Sequence, residues 1–406
     1  MRLLVLNQYF RPDVAASGQR MTEVVEALAA AHDVTVIVGR CSYDSGSRFR
    51  LNDSPKTTPG VVLRRVWSTG FARHSTSGRM LNYVSYLVGA TLVAVFSRRP
   101  DVVVAGTDPP IIGLVGLIVS RLRRAPLVYC LWDIHPEATL AAGIMREGVV
   151  TRVTAWANRR VLRRAAAVVT PTADMARTAV GLGADPSRVT VIPLWEDTDV
   201  VVPESKDNPF SRAHGLTDRF VVMYSGNMGL TQGLDRFLDV AARLADLKGF
   251  VLLFVGNGAA RPALEARARA LGLASVRFLP YQPRHEMRWS LATADVLIAP
   301  NLAGLTRFML PSKVYTFMAS ARPFIAAIDP ACDLAETVRT IACGRVVGPD
   351  DLDGIEREIR WLHAHAEARA EMGQRGRQAA EARFSARVVP PRFRALVESV
   401  GAGGRP

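Results

Sequence analysis

Cysteine is scarce in this chain, and what there is stands apart. Among 406 residues there are four, Cys41, Cys130, Cys332 and Cys343, with no CxxC pair. That excludes a disulfide framework and a zinc ribbon, and it suits a reducing compartment. Long apolar runs are missing too. The longest, Val84 to Phe96 and Ile111 to Val119, have 13 and 9 residues, against the roughly 20 needed to span a bilayer, so no transmembrane helix is expected. At the N-terminus only Leu3 to Leu6 precede Asn7 and Gln8. This is too short for a signal-peptide core, and the chain is expected to stay in the cytoplasm. Lysine is nearly absent: of 51 basic residues only Lys56, Lys206, Lys248 and Lys313 are not arginine.

What is present is an ordinary globular composition, 49% hydrophobic and 22% charged, which rules out a disordered or collagen-like chain. The length allows two or three domains, each with a real core. Base exceeds acid by 14 charges. An arginine- and alanine-rich bias is what a GC-rich genome gives, so part of the excess is composition. Clusters remain at Arg98-Arg99, Arg121 with Arg123-Arg124, Arg159-Arg160 and Arg163-Arg164, beside apolar helical stretches. No helix-turn-helix, zinc-finger or RNA-stacking signature accompanies them, so nucleic acid is not the expected partner. An anionic membrane surface fits better, and a plain solvated face stays open.

Short β-branched runs alternate with alanine-rich helical patterns along the chain, the rhythm of parallel sheets covered on both faces. Strands are expected at Leu3 to Leu6, Val34 to Val38, Val61 to Val66, Val102 to Ala105, Leu127 to Leu131, Ala167 to Thr170 and Val189 to Ile192. Helices are expected at Gly18 to Ala31, Arg79 to Phe96, Pro110 to Arg121 and Thr151 to Arg164. The rhythm lapses after Pro193 and resumes at Phe220, with further strands beginning at Val251, Val276, Val296, Phe324 and Arg345. The α/β fold class expected is therefore two Rossmann-like doubly wound domains facing a cleft. They should span 1–195 and 219–385, joined by a linker at 196–218, with a tail at 386–406 folding back on the first. Ligands in such sheets bind beyond the carboxyl ends of the strands.

Glycine, proline or a rare charge follows a strand at five places. Asn7 to Asp13 leads to Gly18-Gln19-Arg20, a turn into a helix that can present amides to an anion. Tyr224 to Leu234 holds Gly226, Gly229 and Gly233, allowing backbone to approach phosphate, though not in the GxGxxG order. Phe254-Val255-Gly256-Asn257-Gly258 is a second glycine turn. In Met309-Leu310-Pro311-Ser312-Lys313-Val314, Pro311 suits the first position of a helix. The amides of Ser312, Lys313 and Val314 would then be free beside the Lys313 ammonium, a diphosphate cradle. Leu131-Trp132-Asp133-Ile134-His135-Pro136-Glu137 crowds two carboxylates and an imidazole after a strand, with Pro136 keeping the segment a loop. Alternatively, Asp133 caps the next helix and His135 packs in the core.

In this order, these segments resemble the family 4 glycosyltransferases of the GT-B fold. The resemblance is to the branch making colanic acid, capsule and O-antigen, fucosamine transferase-like members included, and covers roughly residues 1 to 385. It implies retaining transfer of a sugar from a nucleotide diphosphate sugar, a UDP-sugar favoured, to a polyprenyl-diphosphate-linked acceptor at the inner membrane face. It implies no metal and no cofactor beyond the substrates. The donor would lie against Gly226, Asn227, Gly256, Gly258, Arg307, Pro311, Ser312, Lys313 and Thr316. The acceptor would lie near Gly18, Asp133, His135 and Glu137, with Asp133, Glu137 and Lys313 catalytic. The chain departs from many family members in having Asn227 and Gln232 for an Arg and a Lys, and Phe308 and Thr316 for an E-x7-E pair. An inert scaffold of a polysaccharide assembly complex and a nucleotide-sugar epimerase remain alternatives.

Overall fold

The computed structural model describes residues 1–13, 16–40, 59–71 and 76–403, and Cys41 lies outside them. Two compact units form, Met1–Pro193 with the chain from Val389 on, and Leu194–Val388.

The first unit runs β1 (Arg2–Leu6), α1 (Ala16–Ala29), β2 (Asp33–Gly39), β3 (Val61–Val66), α2 (Thr76–Val95), β4 (Val102–Ala105), α3 (Ile112–Arg123), β5 (Leu127–Cys130), α4 (Glu137–Ala141), α5 (Val149–Leu162), β6 (Ala167–Thr170), α6 (Ala173–Gly181) and β7 (Val189–Val191). Its seven strands are parallel in the order β3-β2-β1-β4-β5-β6-β7. The central strands β4, β5 and β6 are buried throughout, as a sheet covered on both faces requires. Gly113 and Gly116 lie one turn apart on α3 and let it close on that sheet. A Cβ at Gly113 would stand 2.7 Å from the Tyr129 ring, and one at Gly116 3.0 Å from Leu127.

The second unit runs α7 (Pro209–Ala213), β8 (Phe220–Ser225), α8 (Asp235–Arg243), β9 (Phe250–Val255), α9 (Arg261–Ala270), β10 (Val276–Leu279), α10 (Met287–Thr293), β11 (Val296–Pro300), α11 (Lys313–Ala319), β12 (Phe324–Ala327), α12 (Asp333–Ile341), β13 (Gly344–Val347), α13 (Leu352–Ala364) and α14 (Ala366–Arg383). Its six parallel strands follow the order β10-β9-β8-β11-β12-β13. A last helix, α15 (Pro390–Gly401), belongs to the first unit and packs on α1, where His32 Nε2 lies 2.9 Å from Glu398. In each sheet the winding direction reverses once, between β1 and β4 and between β8 and β11, and such a reversal leaves a crevice at the carboxyl ends of the strands.

The expected linker at 196–218 is corrected by the structure: it is packed as part of the second unit. Asn208 caps α7 and donates to the Trp289 carbonyl at 3.1 Å. Arg377 donates to the carbonyls of Val201 and Thr198 at 2.7 and 2.9 Å, and Arg322 to that of Glu204 at 2.8 Å. The polar composition that suggests a linker is here a set of backbone groups satisfied by arginines.

Candidate active site

In the second unit the loops after β8 and β9 are bound face to face. Gly226 donates from its amide to Val255 at 2.9 Å and Met228 to Asn257 at 2.7 Å. A Cβ at Gly256 would stand 2.0 Å from the Gly226 oxygen, and one at Gly258 2.4 Å from the Met228 oxygen. Both glycines also hold positive φ, 141° and 152°. Gly256 and Gly258 thus act first by letting the two loops touch. Gly256→Ala is expected to lower stability by roughly 2–4 kcal/mol through clash and strain together. Gly272→Ala, at φ 64° with nothing within 4 Å, is expected to cost only about 1 kcal/mol. Chemical denaturation of both variants checks the contrast.

Gly226 is open on its other side, φ 129°, and what a Cβ there would meet is the Lys313 Nζ at 3.3 Å. That ammonium lies 3.5 Å from the centroid of the Tyr224 ring, a cation–π contact. No carboxylate among the described residues pairs with it. Burial pushes its pKa well below the ordinary lysine range. The chain therefore brings a partly desolvated, unpaired cation against bare backbone at the β8–β11 crevice.

The cradle differs in detail from the expectation. Helix α11 begins at Lys313, with Ser312 at its N-cap making no side-chain cap bond, and it has only seven residues. The amide of Val314 is not free: it donates to the Pro311 carbonyl at 3.3 Å. Pro311 closes a turn before the helix and is not its first residue. Asn227 is exposed on the β8 loop. Arg307 is exposed too, its guanidinium 5.3 Å from the Phe308 ring and 3.5 Å from the Gly304 carbonyl, contacts within its own loop. Thr316 has a partner of its own: its hydroxyl donates to the Glu196 carboxylate. Glu196 is held on both sides of its backbone, by Phe384 and Ala386 at 2.9 Å. Sequence reasoning missed it because it fell in the supposed linker. The signal was an acidic pair, Glu196-Asp197, just past β7.

In the first unit the crevice lies between β1 and β4. A Cβ at Gly106 would stand 2.4 Å from Asn7 Oδ1, so the loops after the two strands touch. Gln8 donates from its amide to Asp108 at 2.9 Å, and Ser17 donates to the Asp108 carboxylate. Gly18 is inside α1 rather than in the turn before it. Its missing Cβ lets the helix rest on Tyr9, whose carbonyl carbon would be 2.9 Å away. Asp133 follows β5. Burial first, and the neighbouring charge of Asp108 second, push its carboxyl up to about 7. Asp108 is a second residue that sequence reasoning missed, although Thr107-Asp108-Pro109 is itself a charge and a proline just past a strand.

Pro136, not Asp133, caps α4, so the capping alternative for Asp133 fails. The segment is also not all loop, since Glu137 opens a helix of five residues. One Glu137 oxygen is buried without a hydrogen bond among the described residues. His135 is driven down to about 4 by burial, hence neutral at pH 7, and its carbonyl accepts from Asn158 at 3.2 Å.

Each unit matches a family of its own. A Glycosyl transferase 4-like domain covers residues 16–195, and a Glycosyl transferases group 1 domain covers residues 207–379. The chain belongs to the GT-B family 4 glycosyltransferases. WcaI of Escherichia coli K12, named for colanic acid biosynthesis, is 25% identical over 382 residues, 89% of this chain and 91% of that one. WbjE of Pseudomonas aeruginosa, named as a glycosyltransferase, is 25% identical over 65% of this chain and 66% of its own. Anabaena HepE solved with UDP has a TM-score of 0.72 at 17% identity, covering 98% of this chain and 100% of that chain. Sucrose-phosphate synthase of Thermosynechococcus elongatus reaches 0.80 at 16% identity, with both chains covered fully. These structures share the GT-B fold of two Rossmann-like domains. By family the chain is a glycosyltransferase.

Proposed function

We propose that the protein transfers a sugar, with retention, from a UDP-sugar held by the second unit to a polyprenyl-diphosphate-linked acceptor held by the first. The observation that carries the donor half is the unpaired Lys313 ammonium against Gly226. A diphosphate is the ligand such a place is short of, because it restores to the cation the solvation that burial removes. In this reading Lys313 supplies the positive charge on the diphosphate, with no metal or other cofactor in the scheme. HepE, of the same fold, is solved with UDP and with UDP-glucose, which supports uracil as the base. The test is thermal shift with UDP-, GDP- and dTDP-sugars. A UDP-sugar at 100 times its Kd is expected to stabilise by about 2.7 kcal/mol; a response to GDP-sugars alone would move the base assignment.

The acceptor half draws on the outer surface of the first unit, which also supports a place on the inner face of the plasma membrane. Along α2, Leu81, Val84, Val88 and Leu92 are exposed at helical spacing and lead to Phe96, 83% exposed. Trp67 and Phe71 are exposed in the strand-end segment that Asn82 and Ser85 bind to α2. Helix α3 takes less part than its sequence suggests, since only Ile118 and Leu122 of its apolar residues are exposed. Among the described residues no helix is long and apolar enough to cross a membrane. Arg98, Arg121 and Arg124 are exposed near these helix ends, whereas Arg123 is tied to the Ser97 carbonyl. Binding to phosphatidylglycerol vesicles is expected to weaken on changing Arg98, Arg121 and Arg124 to Glu, at about 1 kcal/mol for each cation near the surface. Vesicle sedimentation at two salt concentrations measures it, and unchanged binding would remove this surface from the scheme.

A further inference from the structure

Helix α5 carries a row of arginines that no carboxylate among the described residues pairs with. Its buried residues, Thr151, Ala157, Asn158, Val161 and Leu162, form one face. The opposite face bears Arg152, Trp156, Arg159 and Arg163 at i, i+4, i+7 and i+11, a single ridge. None of these arginines makes an ion pair among the described residues. Just beyond them, Arg164 is disfavoured as a cation, by lost hydration first and then by Arg160, Arg121 and Arg163. Like charges are gathered here with no carboxylate paired to them among the described residues.

The ridge forms one wall of a cavity of about 540 Å³ in the first unit, whose other wall is Pro136, Glu137 and Leu140. That wall is the end of the loop that begins at Asp133. Two chemistries meet in it. Arg152, Arg159, Arg160 and Arg163 outnumber the two carboxylates that line it, Glu137 and Glu147. Beside them are Leu140, Ala155 and Trp156, the last 56% exposed. Val149 and Val153 continue the apolar surface along the first turns of α5, Val149 being 75% exposed. An anion alone would not need exposed tryptophan and valine, and an apolar ligand alone would not tolerate four guanidiniums.

Resting on the lipid-acceptor reading above, we propose that this cavity is the subsite for the acceptor's diphosphate. Arg152, Arg159 and Arg163 take the phosphate oxygens, and Trp156, Val153 and Val149 receive the start of the apolar chain. Guanidinium forks match phosphate oxygens in pairs, which the scarce lysines of this chain could not do as well. The volume suits a ligand of that size. A sugar on the diphosphate would then extend along the loop towards Asp133.

The test uses farnesyl diphosphate as probe, with UDP at saturation so that the second unit is filled. By calorimetry the parent is expected to bind farnesyl diphosphate more tightly than inorganic pyrophosphate, and farnesol not at all. The double variant Arg159→Gln with Arg163→Gln is expected to lose roughly 100-fold or more in farnesyl diphosphate affinity, as the loss of two charge-assisted hydrogen-bonding groups would. Its UDP affinity should stay at the parent value, which also shows that it is folded. Trp156→Ala should weaken farnesyl diphosphate and leave pyrophosphate unchanged. If the double variant binds farnesyl diphosphate like the parent, the pocket assignment alone is wrong. If the parent binds it no better than farnesol, the lipid-diphosphate reading falls together with the pocket. If the loss is equally large for phosphatidylglycerol vesicles, the arginines serve membrane adhesion and the subsite is overturned.

Discussion

Lys313→Ala is expected to slow turnover by about 100-fold while weakening UDP-sugar binding much less, the loss of roughly 3 kcal/mol typical of one group aimed at a developing oxyanion. In the ground state the diphosphate is already charged and can be held by several groups. As the sugar departs, a further negative charge grows on the leaving oxygen, and the ammonium beside Gly226 gains with it. The short α11 adds little to this, because it has seven residues and one of its first amides is already paired. On this proposal the cation, rather than the helix end, does most of the stabilising.

The depressed pKa of Lys313 adds a second readout. Since burial disfavours the ammonium, raising the pH strips its proton more easily in the free protein than in the complex. UDP binding is therefore expected to take up a proton above the lowered pKa and to weaken as pH rises further. Calorimetry in two buffers of different ionisation heat detects that uptake. Lys313→Ala should abolish it, and Lys313→Arg should restore part of turnover with a flatter pH response, since guanidinium keeps its charge. If Lys313→Ala turns over near the parent rate, the leaving-group site is elsewhere and Arg307 becomes the next candidate.

Sheets and helices were legible because burial on both faces leaves strands as unbroken apolar runs, such as Val102–Ala105 and Ala167–Thr170. The placement of Gly226 and Lys313 just past β8 and just past the β11 loop was legible too, because strand ends are where such folds bind ligands. What stayed hidden were partners far apart in sequence. Thr316 meets Glu196 across 120 positions, and nothing local to either residue announces it. The packing of 194–218 was hidden for the same reason, its polar groups being satisfied by Arg322 and Arg377 far along the chain. Asp108 was a different kind of miss. Its own sequence met the criterion that singled out Asp133, and only the reversal of strand order puts the loops after β1 and β4 side by side.

Asp133→Asn keeps the side chain's shape, removes its charge, and is expected to lower turnover by roughly 100-fold or more, the worth of a positioned general base. The pH dependence follows from the site. An ordinary aspartate is ionised well below neutrality, whereas Asp133 is raised to about 7 by burial and by Asp108. The carboxylate is the form that accepts a proton from the acceptor hydroxyl, so parent kcat/KM should climb between pH 6 and 8 and then level. His135, lowered to about 4, is neutral across that range and leaves the profile to Asp133. Asp108→Asn should shift the climb to lower pH by removing the neighbouring charge. Stability supplies an independent check of sign. The folded protein holds the Asp133 proton up to about pH 7, while the unfolded chain releases it near 4, so stability falls as pH rises through that window. Asp133→Asn should therefore melt higher than the parent at pH 8, on the order of 2–4 °C, and gain nothing at pH 4. A structural role alone would lower the melting point at both. Should Glu137→Gln be crippled while Asp133→Asn works normally, the buried, unbonded oxygen of Glu137 is the one that meets the acceptor.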